Sequence, residues 1–423
     1  MAAKARLHPL RLTRMIRLAA LTVAGVVACG AAGLAQDRGW PQFGGPARNF
    51  TIDAPAPAAW PAAGPRELWR RTLGEGYSAI AIEDGRLYTM TQRGEDEVIL
   101  ALDAKTGETR WEHAYVAPIT NKMSRAPGPR STPLVLDDLV ITTGATGKLR
   151  ALDKKTGKPV WGHDLYEEYG GQVQDEYYAA SPLLYRDTII VPVGGAGQSV
   201  MAFHRKTGAV VWKALDFKIS YASPILIEAG GQMQAVLVME SQVIGIDPGS
   251  GALLWQHPHA NNTRTNVSTP VWGADDLLFV SSAYSSVGRV LHLARQGDAT
   301  EIHEVWTSRD FRVHVANAVR IGNTLYGSSG DFGPSFFRAV DVKSGKVLWE
   351  DRTIGKASFV NAGGRFVMLN EDGELILAEP SPDGLKVLAR APVLTKTAWT
   401  PPSMSGTMVY VRDKTQIAAF DLK

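Results

Sequence analysis

A motif of the form Asp-x-x-Thr/Ser-Gly-x-x-x-Trp recurs along this chain at a period of roughly 45 residues. Aspartate and threonine bond nearby backbone N–H groups in turns, and glycine adopts a positive φ at low cost. A tryptophan side chain buries about 150–250 Å² when it packs. The motif therefore predicts a tight turn between two strands, the second of which packs its indole against a neighbouring sheet. The five gap-free copies start at Asp103, Asp153, His204, Asp247 and Asp341 and end at Trp111, Trp161, Trp212, Trp255 and Trp349.

Upstream of the copies, Ser/Thr-Pro steps open a first strand, and a short turn leads into a second, apolar strand. Such apolar runs occur eight times, and eight further runs follow them as third strands. Short strands at regular spacing, separated by turn residues, are typical of all-β repeat architectures. The sequence predicts an all-β, eight-bladed β-propeller of four-stranded antiparallel blades. The Ser/Thr-Pro steps begin at Thr132, Ser181, Ser223, Thr269 and Thr400.

Three copies depart from the pattern. In the fifth we expect a longer turn, with Trp306 as its tryptophan, and the seventh has Asp383-Gly384 and no tryptophan. The eighth ends before its fourth strand, whereas residues 67–73 look like a fourth strand without upstream partners. We expect this segment to complete blade eight, because closure protects edge strands. The structural docking tryptophans are then Trp69, Trp111, Trp161, Trp212, Trp255, Trp306 and Trp349.

Residues 1–35 have the order of a secretory signal: basic residues, an apolar stretch and then small residues. Cleavage after Ala35 gives a soluble mature chain. The alternative is a lipobox at residues 26–29, in which Cys29 becomes a lipidated first residue and anchors the chain to a membrane. A Pro/Ala-rich segment, residues 36–66, separates the signal from the propeller, residues 67–423. We expect an exported protein of the periplasm or cell envelope.

The positive charge of the chain resides in this leader. The whole sequence has 45 basic and 42 acidic residues, and the leader removes five basic residues and no acid, which leaves 40 − 42 = −2. The charge therefore gives no electrostatic case for nucleic-acid binding. Because Cys29 is the single cysteine, the folded part has neither a disulfide nor a thiolate metal site.

The repeats resemble those of the pyrroloquinoline quinone (PQQ) propellers, whose tryptophan-docking motif is Ala-x-Asp-x-x-Thr-Gly-x-x-x-Trp. Residues 101–111 and 151–161 match it fully, and residues 339–349 match with Ser344 for threonine. Residues 40–46 resemble the mature N-terminal tag of many exported members. The resemblance implies one of two functional classes: quinoprotein dehydrogenases, or non-catalytic propellers such as the lipoprotein of the outer-membrane barrel-assembly machine.

Enzymes of the first class typically use adjacent cysteines over the quinone, a calcium ion held by acidic and amide side chains, and an aspartate base. The mature chain has no cysteine, and spacing identifies no calcium-binding set. We expect a non-catalytic binding or scaffold protein without cofactor or metal, whose partner is a protein or another envelope component. The alternatives are a PQQ- and calcium-dependent alcohol or sugar dehydrogenase, or an accessory protein that binds small molecules or polysaccharides.

Loops that precede the first strands form one face of a propeller, so their aromatic and basic residues are candidates for recognition. Plain loop packing is the competing interpretation. A basic group, Arg125, Arg130, Arg264 and Arg312, would suit an acidic peptide or anionic ligand. The candidate residues at the channel mouth are Tyr77, Arg125, Arg130, Tyr178, Tyr221, Arg264, Asn266, His314 and Trp399.

Overall fold

A computed structural model describes residues 39–120, 124, 127–273, 275–297, 299–395 and 397–423. In this part of the chain every regular element is a β-strand. Eight sheets, each with four antiparallel strands, follow one another as the blades of a propeller, and blade seven gains a fifth, parallel strand. None of these residues forms a helix that could cross a bilayer. The eight-bladed, all-β prediction is confirmed.

The strands follow the chain blade by blade, except the first two. Strands β1 (Thr51–Ile52) and β2 (Arg66–Thr72) join blades seven and eight. Blades one to three are β3 to β6 (Ala81–Glu83, Arg86–Arg93, Asp96–Asp103, Thr109–Val116), β7 to β10 (Leu134–Val135, Leu139–Thr143, Lys148–Asp153, Pro159–Asp164) and β11 to β14 (Leu183–Tyr185, Thr188–Pro192, Val200–His204, Val210–Ala214). Blades four to six are β15 to β18 (Ile225–Ala229, Gln232–Val238, Gln242–Ile246, Leu253–Pro258), β19 to β22 (Val271–Trp272, Leu277–Ser281, Gly288–Gln296, Ala299–Ser308) and β23 to β26 (Val313–Ile321, Thr324–Ser329, Phe336–Asp341, Val347–Asp351). Blades seven and eight contain β27 to β30 (Ala357–Ala362, Arg365–Asn370, Glu374–Ser381, Gly384–Pro392) and β31 to β33 (Ser403–Ser405, Met408–Arg412, Gln416–Asp421).

The repeated motif forms the turn between third and fourth strands. In blade two the carboxylate Oδ1 of Asp153 accepts hydrogen bonds from the Thr156 backbone N–H at 2.8 Å and from its hydroxyl at 2.6 Å. The threonine hydroxyl holds the pKa of Asp153 below its usual value, because it stabilises the charged form. Gly157 follows with φ +71°, a conformation that favours glycine.

Six of the seven predicted docking tryptophans contact the turn between the third and fourth strands of the next blade, whereas Trp255 donates to Gln234 of its own blade. The Trp111 indole N–H donates to the carbonyl of Lys154 at 3.0 Å, and its ring covers Gly157, where an added Cβ would lie 2.5 Å from the ring. The contact joins two neighbouring sheets. The same bond to the next blade is made by Trp69, Trp161, Trp212, Trp306 and Trp349, with acceptors Ala104, Arg205, Pro248, Val342 and Ser381.

The ring closes where the sequence predicted. Strand β2 pairs antiparallel with β33, from Arg66 opposite Asp421 to Thr72 opposite Gln416. The observed strand begins and ends one residue earlier than the predicted segment 67–73. Blade eight therefore combines three strands from the end of the chain with one from its beginning.

Blade five corrects one expectation. The prediction of a longer turn was wrong, because β21 and β22 stay paired out to Gln296 opposite Ala299. The extra residues lengthen the two strands, and Leu293 pairs with Ile302 within this extension. The alternation of apolar and polar side chains continues through it, which keeps one face of the hairpin buried.

Residues 39–58, here called the strap, lie across the channel side of the blades. Trp40, 1% exposed, exchanges two backbone hydrogen bonds with Ile82 of blade one. The carbonyl of Pro41 accepts from Val135 of blade two, and β1 pairs in parallel with β27 of blade seven. Ala58 donates to Leu422 beside blade eight. The predicted N-terminal segment is thus an integral part of the propeller.

Candidate functional site: the upper face of the propeller

Antiparallel blades divide the loops between two faces. We call the upper face the side with the loops between blades and the turns between second and third strands. The lower face has the turns between first and second strands and the motif turns. The strap lies towards the lower face. Trp40 pairs with Ile82, next to the turn between the first two strands of blade one, and Ala56 packs on Gly363 in the equivalent turn of blade seven. The upper face is therefore the candidate recognition surface.

A first cluster on this face joins blades eight and one. The rings of Tyr77 and Trp399 stack with centroids 5.5 Å apart and an angle of 29° between their planes. The Trp399 indole N–H donates to Glu371 at 3.2 Å. Burial raises the pKa of Tyr77 to about 12, so its hydroxyl stays protonated at neutral pH. Two predicted site residues, far apart in sequence, are thus in direct contact.

Beside this stack, an arginine is held by an acidic loop. A guanidinium nitrogen of Arg130 lies 3.3 Å from the Glu176 carboxylate, which also accepts from Ser124 at 2.7 Å. The Glu176 backbone N–H donates to the Tyr221 hydroxyl at 3.2 Å. Burial lowers the pKa of Arg130, whereas the Glu176 charge raises it. Arg130 and Tyr221 therefore belong to one network that joins the loops before blades two, three and four.

A second aromatic cluster lies across blades five and six. The Nε2 atom of His314 is 2.6 Å from the Tyr284 hydroxyl, and the two rings meet edge to face at 4.7 Å. Phe332 packs on both rings and is 62% exposed. Burial, followed by the charge of Lys356, lowers the pKa of His314 to about 4. The imidazole is therefore neutral at physiological pH.

Sequence reasoning found His314 but missed Tyr284 and Phe332. These two residues lie in turns between second and third strands, whereas the predicted candidates all lie in the loops between blades or at the start of first strands. Because successive strands run in opposite directions, the turns between second and third strands lie on the same face as the loops between blades. The predicted strand order could therefore have identified Tyr284 and Phe332 as candidates.

The remaining predicted residues are not brought together. Tyr178 is buried and its hydroxyl donates to the Pro192 carbonyl at 2.8 Å. The buried amide of Asn266 donates to the carbonyls of Met239, Glu240 and His259. Both side chains act in packing, which places them away from a recognition surface.

The predicted arginine group is dispersed. Arg264 is 72% exposed and lies 3.8 Å from Glu240, so it and Arg130 each face a carboxylate. The backbone N–H of Arg312 donates to Ser329 at 2.9 Å. Arg125 and the predicted lipidation site Cys29 lie outside the described residues.

The three most exposed large apolar side chains among the described residues all lie on the upper face. Val116, at the end of β6, is 65% exposed; Val173, in the loop before blade three, is 70% exposed. Phe332 is the third. Of the three, Phe332 packs on an aromatic pair, and an exposed aromatic side chain supported in this way is typical of the centre of a protein-binding surface.

A family model described as "Outer membrane protein assembly factor BamB" matches residues 50–175 and 131–351. The chain belongs to this family of PQQ-repeat propellers. The match spans most of the ring, so the resemblance seen in the docking motifs is confirmed.

Similar proteins fall into two classes. A curated relative, the quinoprotein ethanol dehydrogenase of Pseudomonas aeruginosa, is 25% identical over 229 residues, which are 49% of this chain and 34% of that protein. This chain thus spans about a third of that relative's length. The structure of BamB from Moraxella catarrhalis superposes with a TM-score of 0.61 at 17% identity, covering 84% of this chain and 97% of that one. The quinohemoprotein alcohol dehydrogenase from Comamonas testosteroni gives 0.64 at 14% identity, covering 92% and 81%. Both structural likenesses show the fold alone.

The described residues do not supply the group of carboxylates that the resemblance to calcium-dependent PQQ enzymes implies. Calcium takes about six to eight oxygen ligands, usually with several carboxylates. Within the described ranges, no three side chains of His, Cys, Asp or Glu are grouped to hold a metal ion. On the upper face, the Glu176 carboxylate pairs with Arg130 and that of Glu371 lies 3.8 Å from Lys356. We therefore derive no redox step for this face.

Proposed function

We propose that this propeller is an exported, non-catalytic binding or scaffold protein whose upper face binds a protein partner in the cell envelope. The single observation that carries the proposal is the Phe332 ring, which is 62% exposed on the upper face and packs on Tyr284 and His314. The family description, which names an assembly factor, supports the same class of function.

Apolar and aromatic contact is the main source of affinity in this proposal. Phe332 is supported from behind by Tyr284 and His314, so little side-chain freedom is lost when a partner covers it. A rigid aromatic anchor of this kind is the usual centre of an interface hot spot. Arg130 and Arg264 already face carboxylates, which disfavours a partner selected by negative charge alone.

Site-specific photo-crosslinking tests the proposed face. A benzophenone amino acid at position 332 is expected to yield a discrete adduct with an envelope protein in living cells. The matched control is position 321, where Ile321 is also apolar and exposed (36%) but ends β23 on the lower face. Equal adducts at both positions, or none at position 332, would contradict the proposal.

The alternative function is a PQQ- and calcium-dependent oxidoreductase, favoured by the matches to quinoprotein dehydrogenases. An absorbance titration with PQQ and calcium, combined with a dye-linked alcohol or sugar assay, separates the two. We expect neither stoichiometric binding nor turnover. Observation of both would replace the scaffold proposal.

Export to the periplasm or cell envelope belongs to the same proposal, with cleavage after Ala35 and lipidation of Cys29 as the two alternatives for the leader. Fractionation of cells that express the full chain tests export. Replacement of Cys29 by serine tests anchoring: loss of membrane association supports the lipidated form, whereas an unchanged distribution supports cleavage after Ala35.

A further inference from the structure

Arg48 of the strap is a buried cation without a carboxylate partner among the described residues. Its side chain is enclosed between the strap and blade three and is 6% exposed. One terminal nitrogen donates to the Pro182 carbonyl at 3.0 Å and to Gln42 Oε1 at 3.2 Å, and the other to the Ser181 carbonyl at 3.5 Å. The Nε atom is buried and has no hydrogen-bond partner in the described part of the chain.

Neutral oxygens satisfy some of these N–H groups, but no carboxylate of the described residues compensates the charge. Burial lowers the pKa of Arg48 to about 9, so the guanidinium remains charged at neutral pH. Proteins pair buried charges with opposite charges, because removing an ion from water costs several kcal/mol, on the order of the whole net stability of a domain. A counter-charge of external origin would remove this cost.

There is space for such an ion next to Arg48. A cavity of about 120 Å³ lies between the strap and the inner strands of blades four to six. One water occupies about 30 Å³ of liquid volume, so the cavity has room for a small anion with some of its hydration. Its walls include Arg48, Phe50, Ile225, Thr269, Trp272 and Ala318.

We propose that this cavity is a binding site for a small anion, of the size of a halide or an acetate-like carboxylate, held by the Arg48 guanidinium. The bound ion would stabilise the strap against blades three to six, because Arg48 contacts both the ion and the Ser181–Pro182 backbone. The site is separate from the upper face and does not depend on the function proposed for it.

The anion site is tested by thermal unfolding of the full chain. The Tm in a chloride or acetate salt is compared with the Tm in a gluconate salt of equal ionic strength. Gluconate is too large for the cavity, so a specific site predicts a Tm that rises with the small anion and then saturates. Arg48→Met is expected to abolish the anion-specific rise. The matched control Arg352→Met removes an arginine that is 74% exposed and paired with Glu350, and it should keep the rise.

Bromide anomalous diffraction from wild-type crystals gives an answer that does not depend on the variant folding. We expect an anomalous peak in contact with the Arg48 guanidinium. The proposal is overturned by an empty cavity, by a Tm that responds only to ionic strength, or by an equal anion response in Arg48→Met.

Discussion

Trp111 and Trp255 occupy the same position in their repeats and are equally buried, yet they make different contacts. Trp111 donates to the Lys154 carbonyl of the next blade. Trp255 donates to Gln234 Oε1 in its own blade at 2.6 Å, because blade five has no motif turn to receive it. The Gln234 amide then reaches Thr300 of blade five at 3.0 Å. Burial and a satisfied indole N–H are therefore the common requirement, whereas the link between blades can be made by another side chain.

Removal of either indole is expected to have the largest effect. Trp111→Ala and Trp255→Ala should each lower the free energy of unfolding by about 3–5 kcal/mol, because each leaves a large cavity in a buried cluster. Denaturant unfolding measures the loss. A loss below about 1 kcal/mol at either site would show that burial is not the common requirement.

Replacement of Gln234 tests the hydrogen-bonded link from Trp255 through Gln234 to Thr300 of blade five. Gln234→Met should cost about 1–3 kcal/mol, since the Trp255 N–H then remains buried without an acceptor. The control is Gln242→Met in the same blade, where the glutamine Oε1 is buried without a partner among the described residues. Similar losses for both variants in the same unfolding assay would argue against a specific role for Gln234.

The smallest effect is expected in the motif turn of blade two, a kind of turn that blade five does not have. Thr156→Val removes the hydroxyl that depresses the pKa of Asp153 and should raise that pKa towards its ordinary value near 3.9. A depressed folded-state pKa contributes stability above the unfolded pKa, and this is lost as the pH falls through the folded value. The variant should therefore lose stability mainly at neutral pH, with little difference from wild type in strong acid. Carboxyl NMR titration measures the pKa, and an unchanged value would exclude the hydroxyl as the cause.

The ring could be predicted from the sequence because the same short motif is repeated in most blades. The motif defines a turn and a docking residue in each regular blade, and Trp69 without upstream partners indicated closure. Blade five was harder to predict, since its third and fourth strands extend past the usual turn position and only the alternation around Leu293 and Ile302 indicates this.

The strap and the upper face were less accessible to prediction. β1 has only two residues, too few for a periodic pattern, and nothing local to Arg48 indicates that its charge is buried. These properties depend on blades far away in sequence. For the same reason, the contacts of Tyr77 with Trp399 and of His314 with Tyr284 emerge only when the ring is assembled.

The pairing of β2 with β33 makes closure of the ring a late step. Paired residues such as Trp69 and Ala419 are 419 − 69 = 350 positions apart, so blade eight cannot be completed before β33 is available. Loop closure over such a separation is slow, and until then β2 and the adjacent sheets present open edges. During synthesis the polypeptide therefore passes through a stage with open strand edges, in which a chaperone that shields such edges would be most useful.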